Sequence, residues 1–162
     1  MKVKDLIEKL EELPEDSTIA INDSCGNGGV AITHFVGNQY ILKAGFGALK
    51  YKIISEIDGL EADSECVIIK TTDGYVFKLH HYQSCCENVR IVDVNGDTDD
   101  LIGARIMVAE ERVGESEICE GGSYTWTFYT LRTSKGDSVD FRWLGESNGC
   151  YSESVDIDIS VK

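Results

Sequence analysis

From residue 50 onward, apolar and polar residues alternate with a period of two along almost the whole chain. This pattern restricts the fold more than any other feature. Strand side chains point to opposite faces in turn, whereas helix side chains return to one face every three or four residues. Eight segments carry the alternation: YKIISEI, ECVIIKTT, YVFKLHHY, NVRIVDV, ARIMVAEERV, YTWTFYTLRT, SVDFRWLG and SVDIDISV. They are rich in β-branched and aromatic residues, which suit a pleated, half-buried surface. Asp73-Gly74 is the strongest hairpin signal, and Lys135-Gly136-Asp137 marks another turn. GDTDDLIG (96–103) reads as a loop holding one helical turn, capped by Asp97 or Thr98. Closely spaced turns with little helix between them predict an antiparallel β-sandwich or a strongly curved sheet.

The first part of the chain reads differently. Val3, Leu6, Ile7, Leu10 and Leu13 recur at helical spacing and Pro14 follows, so residues 2–13 are expected to be helical. STIAIND, VAITHFV and QYILKA read as short strands, with turns at CGNGG and Gly37-Asn38. The expected fold class is mainly β (α+β). An N-terminal α-β-β module over 1–48 precedes an antiparallel β domain over 49–162.

A chain of 162 residues with 42% hydrophobic residues can bury a core without disulfides or metal. No stretch reaches the roughly 18 apolar residues of a membrane span. The opening MKVKDLIEKLEELPEDS has no apolar h-region, so no signal peptide is expected and the location expected is the cytosol. The cysteines Cys25, Cys66, Cys85, Cys86, Cys119 and Cys150 are then expected to be thiols. The net charge is −14, of which about −7 falls in residues 87–120. Direct nucleic-acid binding needs clustered Lys and Arg and is not expected. An acidic surface suits a basic protein partner, a cation, or solubility.

Two stretches carry a family likeness. In the first, Cys85-Cys86-Glu87 follows a strand ending in His. The loop GDTDDLIG comes next (Gly96, Asp97, Leu101, Ile102, Gly103), then Glu110 and Glu111. The second holds TWTFY with Trp126, then SNGCYSESV with Ser147, Asn148, Gly149, Tyr151, Ser152, Glu153 and Ser154. Together they resemble a domain of unknown function common in phages and prophages. Cys150 stands where that pattern carries an aromatic residue. The resemblance covers about half the chain and implies a phage or prophage origin, with no assigned reaction. KDLIEKLEELPEDSTIAI separately resembles the helix-then-strand module that opens many small phage proteins.

The densest run of reactive side chains is HHYQSCCENV. Zinc takes four N or S ligands in a tetrahedron, and adjacent cysteines serve that poorly. On a strand, His80 and His81 point to opposite faces, and Cys85 and Cys86 need a kink to share a site. The expectation is that one cysteine packs as a small hydrophobe while the other faces a loop. No structural metal and no cofactor is expected. His80, His81, Cys85 and Cys86 are the fallback ligands, with Cys119 or Cys25 completing a site. A nucleophilic cysteine would use His80 or His81, oriented by Glu87 or Asp97, but no protease-type flank is present. DVNGDTDD places Asp93, Asn95, Asp97 and Asp99 at alternate positions. An EF-hand numbered from Asp93 would need Gly at position 98 and Glu at 104, which are Thr98 and Ala104. SCGNGGV lacks the lysine of a phosphate loop, and SNGCYSES has no neighbouring histidine for a hydrolase triad. Tyr124, Trp126 and Phe128 alternate with Thr125, Thr127 and Tyr129, a pattern repeated by Phe141 and Trp143, and the aromatic ladder is expected to be core.

The function expected is that of an acidic, cytosolic, phage-encoded binding protein without catalytic residues. It would inhibit a basic host protein such as a nuclease or CRISPR effector by DNA mimicry. Its expected surface is Asp97, Asp99, Asp100, Glu110, Glu111, Glu115 and Glu117. The alternatives are a metal-binding or cysteine-dependent enzyme, or a small-ligand or nucleotide-sequestering protein with a basic pocket around Arg132, Lys135 and Arg142.

Overall fold

The computed structural model describes residues 18–22, 32–36, 39–43 and 45–161. The helix expected over 2–13 and the turns at CGNGG and Gly37-Asn38 lie outside these residues. The chain divides into two units, Met1–Gly45 and Phe46–Lys162. In the first, β1 (Thr18–Asn22), β2 (Ile32–Val36) and β3 (Gln39–Lys43) form a sheet in the order β1-β3-β2. β1 runs parallel to β3, and β2 antiparallel to it.

The second unit opens with a 3-10 turn, Phe46–Leu49, followed by β4 (Ile54–Asp58), β5 (Cys66–Thr71), β6 (Tyr75–His80) and β7 (Glu87–Asn95). A second 3-10 turn, Thr98–Leu101, leads to β8 (Ile106–Val113), β9 (Glu117–Cys119), β10 (Gly122–Thr133), β11 (Ser138–Ser147) and β12 (Asp156–Val161). Each of the eight alternating segments contains a strand, although YKIISEI joins β4 only from Ile54. β9 was not legible, because three residues are too few to establish a period. Two antiparallel sheets result, β7-β11-β10-β8 with β9 added to β10, and β12-β6-β5-β4. Asp73-Gly74 closes the β5–β6 hairpin: Gly74 has φ +89 and its N–H donates to the Thr71 carbonyl at 3.1 Å.

The inner faces of both sheets bury one core. Ile54, Val67, Ile69, Phe77 and Leu79 come from one sheet, and Val89, Ile91, Ile106, Leu131, Val139 and Trp143 from the other. Phe46 drops its ring onto Tyr129 (4.7 Å between centroids) and Phe141 (5.9 Å), so the first 3-10 turn plugs the core. Such edge-to-face contacts favour rings whose positive edges meet negative faces.

The expected aromatic core face is corrected here. Along β10 the buried side chains are Thr125, Thr127, Tyr129, Leu131 and Thr133, while Tyr124, Trp126 and Phe128 are half-buried on the outer face. Arg142 lies over Trp126 and Arg112 over Phe128, each 4.9 Å from the ring centroid. These guanidinium groups cover the rings in place of a second protein layer. Phe141 and Trp143 are core, as expected.

Candidate functional site

The acidic residues expected to form one surface occupy several places. Asp97 caps the second 3-10 turn, accepting the Asp99 N–H at 3.0 Å. Its carboxylate is therefore partly committed to holding the turn. Asp99 and Asp100 are exposed on that turn. Glu110 is exposed on β8, whereas Glu111 accepts the Tyr129 hydroxyl at 2.8 Å. Burial first, and then the Glu111 carboxylate, push the Tyr129 phenol well above its ordinary pKa, so it remains a donor. Glu115 is exposed beyond β8, and Glu117 on β9 accepts the Tyr124 hydroxyl.

What brings carboxylates together is a groove of about 440 Å³ between β4, the loop after it and the second 3-10 turn. Glu56, Asp58, Glu61 and Asp99 line it, with Thr98 and Ile102 beside them and no Lys or Arg in the lining. Lys70 bonds Glu56 at 2.7 Å from outside that lining. The acidic character of residues 56–61 was visible in the sequence. Their meeting with Asp99, across some forty positions, follows from the Ile54–Ile102 parallel bridge, which no local pattern encodes.

A second constellation lies where the loop after β6 meets the loop after β11. His80 and His81 diverge, as expected for adjacent positions. His80 is buried, bonds Asp158 at 2.8 Å and stacks edge-on against Tyr82. His81 turns to the Ser154 carbonyl, 2.9 Å from Nδ1, which must therefore carry a proton; its Nε2 is 3.8 Å from Glu87. Both ring nitrogens face oxygen rather than a cysteine sulfur.

Cys85 and Cys86 are both exposed, with sulfurs 2.7 Å apart. The expectation that one would pack inside is thus corrected. The kink that unites them comes from Glu87, whose side chain is only 1% exposed. Its carboxylate accepts the backbone N–H groups of Ser84, Cys85 and Cys86. Desolvation acts to raise the Glu87 pKa, but these three donors and His81 outweigh it and leave the group more acidic than usual. From the other side, the Asn148 N–H donates to the Cys86 carbonyl at 3.1 Å, and the Cys85 thiol donates to the Tyr151 hydroxyl at 3.2 Å. The CCE and SNGCYSES motifs, sixty residues apart in sequence, thus form one corner. Tyr151 was not read as part of this cluster, because the partnership depends on the β7–β11 register.

Glu153 anchors the same corner. It accepts hydroxyl hydrogen bonds from Ser116, Ser123, Thr125 and Ser147. Among the described residues, no group of three or more His, Cys, Asp or Glu side chains has the arrangement of a metal site. The basic pocket considered around Arg132, Lys135 and Arg142 is occupied in part by Asp93, which pairs with Arg142 at 2.7 Å. No helix among the described residues is long and apolar enough to cross a membrane.

A family model described as a domain of unknown function, DUF7448, matches residues 47–157. No curated protein and no solved structure matches the chain. The match spans more than half of the sequence and contains both the carboxylate groove and the thiol corner, so the chain belongs to the DUF7448 family.

Proposed function

We propose that this DUF7448 protein is a non-enzymatic, acidic binding module that engages a basic protein by presenting carboxylates in place of nucleic-acid phosphates. The observation that carries the reading is the groove lined by Glu56, Asp58, Glu61 and Asp99 on a chain of net charge −14. Its carboxylates stand on a strand, a short loop and a capped turn, so little conformational entropy is lost when a cationic side chain docks. The surrounding negative field speeds encounter with a basic surface and discourages acidic competitors. Asp97 holds the turn, and Asp99 and Asp100 present charge; Glu115, beyond β8, is not in the groove lining.

The likeness of the CCE and SNGCYSES motifs to phage domains directs the search for a partner to the cytosol of a host cell. There, nucleases and CRISPR effectors carry basic channels that a rigid acidic surface can occupy. The cysteine-enzyme alternative has less support, since His81 is committed to Ser154 and Glu87.

The test is capture of partners from lysate of the encoding host at low and high salt, using wild type, Asp58→Lys with Asp99→Lys, and Glu115→Lys. A basic partner lost at high salt and with the double reversal, but retained by the Glu115 variant, supports the reading. Capture indifferent to salt and to the double reversal overturns it.

A further inference from the structure

We propose that Cys85 and Cys86 form a reversible vicinal disulfide, a thiol switch that is read out through Tyr151. Its foundation is the position of the two sulfurs, 2.7 Å apart on an exposed loop. Their backbone is pinned from both sides. Glu87 takes the N–H groups of residues 84 to 86, while Asn148 donates to the Cys86 carbonyl. The two side chains that must meet to close the bond therefore stand on a loop already ordered around them.

The two thiols are unequal. Cys85 is more acidic than an ordinary cysteine, because hydrogen bonds from Cys86 and then from Tyr151 stabilise its thiolate against desolvation and the nearby Glu87 charge. Cys86 is shifted the other way, first by its bond to Cys85, then by burial and by the charges of Cys85, Glu87 and Cys150. The thiolate is the nucleophile in exchange chemistry, so Cys85 attacks first and Cys86 resolves.

With a low-molecular-weight disulfide as oxidant, the Cys85 thiolate forms a mixed disulfide and expels one small thiolate. Cys86, losing its proton, then attacks the Cys85 sulfur and expels the second. Two protein thiols are oxidised by two electrons, and one small disulfide becomes two small thiols. Neighbouring Cα atoms lie about 3.8 Å apart, below the roughly 4.4 Å at which ordinary disulfides begin. The bond is consequently strained and easily reduced, which places it with labile, regulatory disulfides rather than structural ones.

Oxidation removes the thiol hydrogen that Cys85 donates to the Tyr151 hydroxyl, and Tyr151, already 39% exposed, sits in the loop that also holds Asn148 and Ser154. The state of the thiol pair is thereby transmitted to the segment between β11 and β12.

The experiment treats the reduced full-length protein with excess oxidised glutathione and follows intact mass with peptide mapping. In wild type and Cys150→Ser the peptide holding residues 85 and 86 is expected to lose two hydrogens, retain no glutathione and carry the link at 85–86, whatever glutathione the exposed Cys119 and Cys150 take up. Cys86→Ser is expected to trap one glutathione on Cys85. A second arm follows alkylation of Cys85 against pH in the Cys86→Ser background, where Tyr151→Phe is expected to move the midpoint upward. Glutathione retained on Cys85 or Cys86 of wild type, a Cys86–Cys150 link, or no oxidation at 85–86 overturns the switch. An unmoved midpoint overturns its coupling to Tyr151.

Discussion

Thr125 donates its hydroxyl to the Glu153 carboxylate across 2.6 Å, from the buried face of β10 to the loop before β12. Ser116, Ser123 and Ser147 complete the same acceptor. Desolvation works to raise the Glu153 pKa, but the four donors outweigh it and leave the group more acidic than usual. A carboxyl whose folded pKa is lowered adds stability above its unfolded value, about 4.3, and that stability is lost as pH falls through the folded value. Glu153→Gln should therefore cost about 1–2 kcal/mol at neutral pH and progressively less in acid. Urea unfolding of both proteins across this range measures it.

Trp143 is fully buried, and its indole N–H is the one buried side-chain polar atom without a partner among the described residues. An unmade hydrogen bond of this kind costs about 1–3 kcal/mol. Trp143→Phe removes the stranded donor together with some volume, so the two effects oppose each other. The expected loss is under about 2 kcal/mol, against about 3–5 kcal/mol for Phe141→Ala, where only packing is lost. The comparison is made by denaturant midpoints at unchanged m-value.

The two tryptophans report on the two faces of β10 and β11. Trp126 is half-buried beneath Arg142, and Trp143 is enclosed. In Trp143→Phe the remaining emission should be red-shifted and readily quenched by iodide. In Trp126→Phe it should be blue-shifted and protected. Equal quenching of both variants would contradict the assignment of faces.

Gly145 is needed for close approach: a Cβ there would lie 2.2 Å from the Glu153 carbonyl oxygen. Gly145→Ala should force the Glu153 segment off β11 and cost about 1–3 kcal/mol. Amide exchange should report the change as faster opening of residues 147–154, with β5 and β6 unaffected.

How much of this was readable in advance follows from the range of each interaction. β5, β10 and β11 could be named because a period of two is written in consecutive residues. The face assignment of β10 failed because aromatic rings are apolar enough to suggest core. The structure instead buries threonines, whose hydroxyls find partners such as Glu153, and covers Trp126 with Arg142. Asp97 could be read as a cap, since the cap and the Asp99 N–H lie two residues apart. The pairing of Cys85 with Tyr151 and the meeting of Asp58 with Asp99 depend on strand register, which single-sequence patterns do not carry.

The pairing of β12 with β6 sets Ile157 opposite Leu79 and Asp156 opposite His80. During synthesis, β6 leaves the ribosome long before its partner exists. Until residue 161 has emerged, one edge of the four-stranded sheet offers unpaired backbone groups to any neighbouring chain. The carboxylates of Asp156 and Asp158 on the late strand charge that edge as it closes, and loss of this strand should leave the sheet prone to edge-to-edge association.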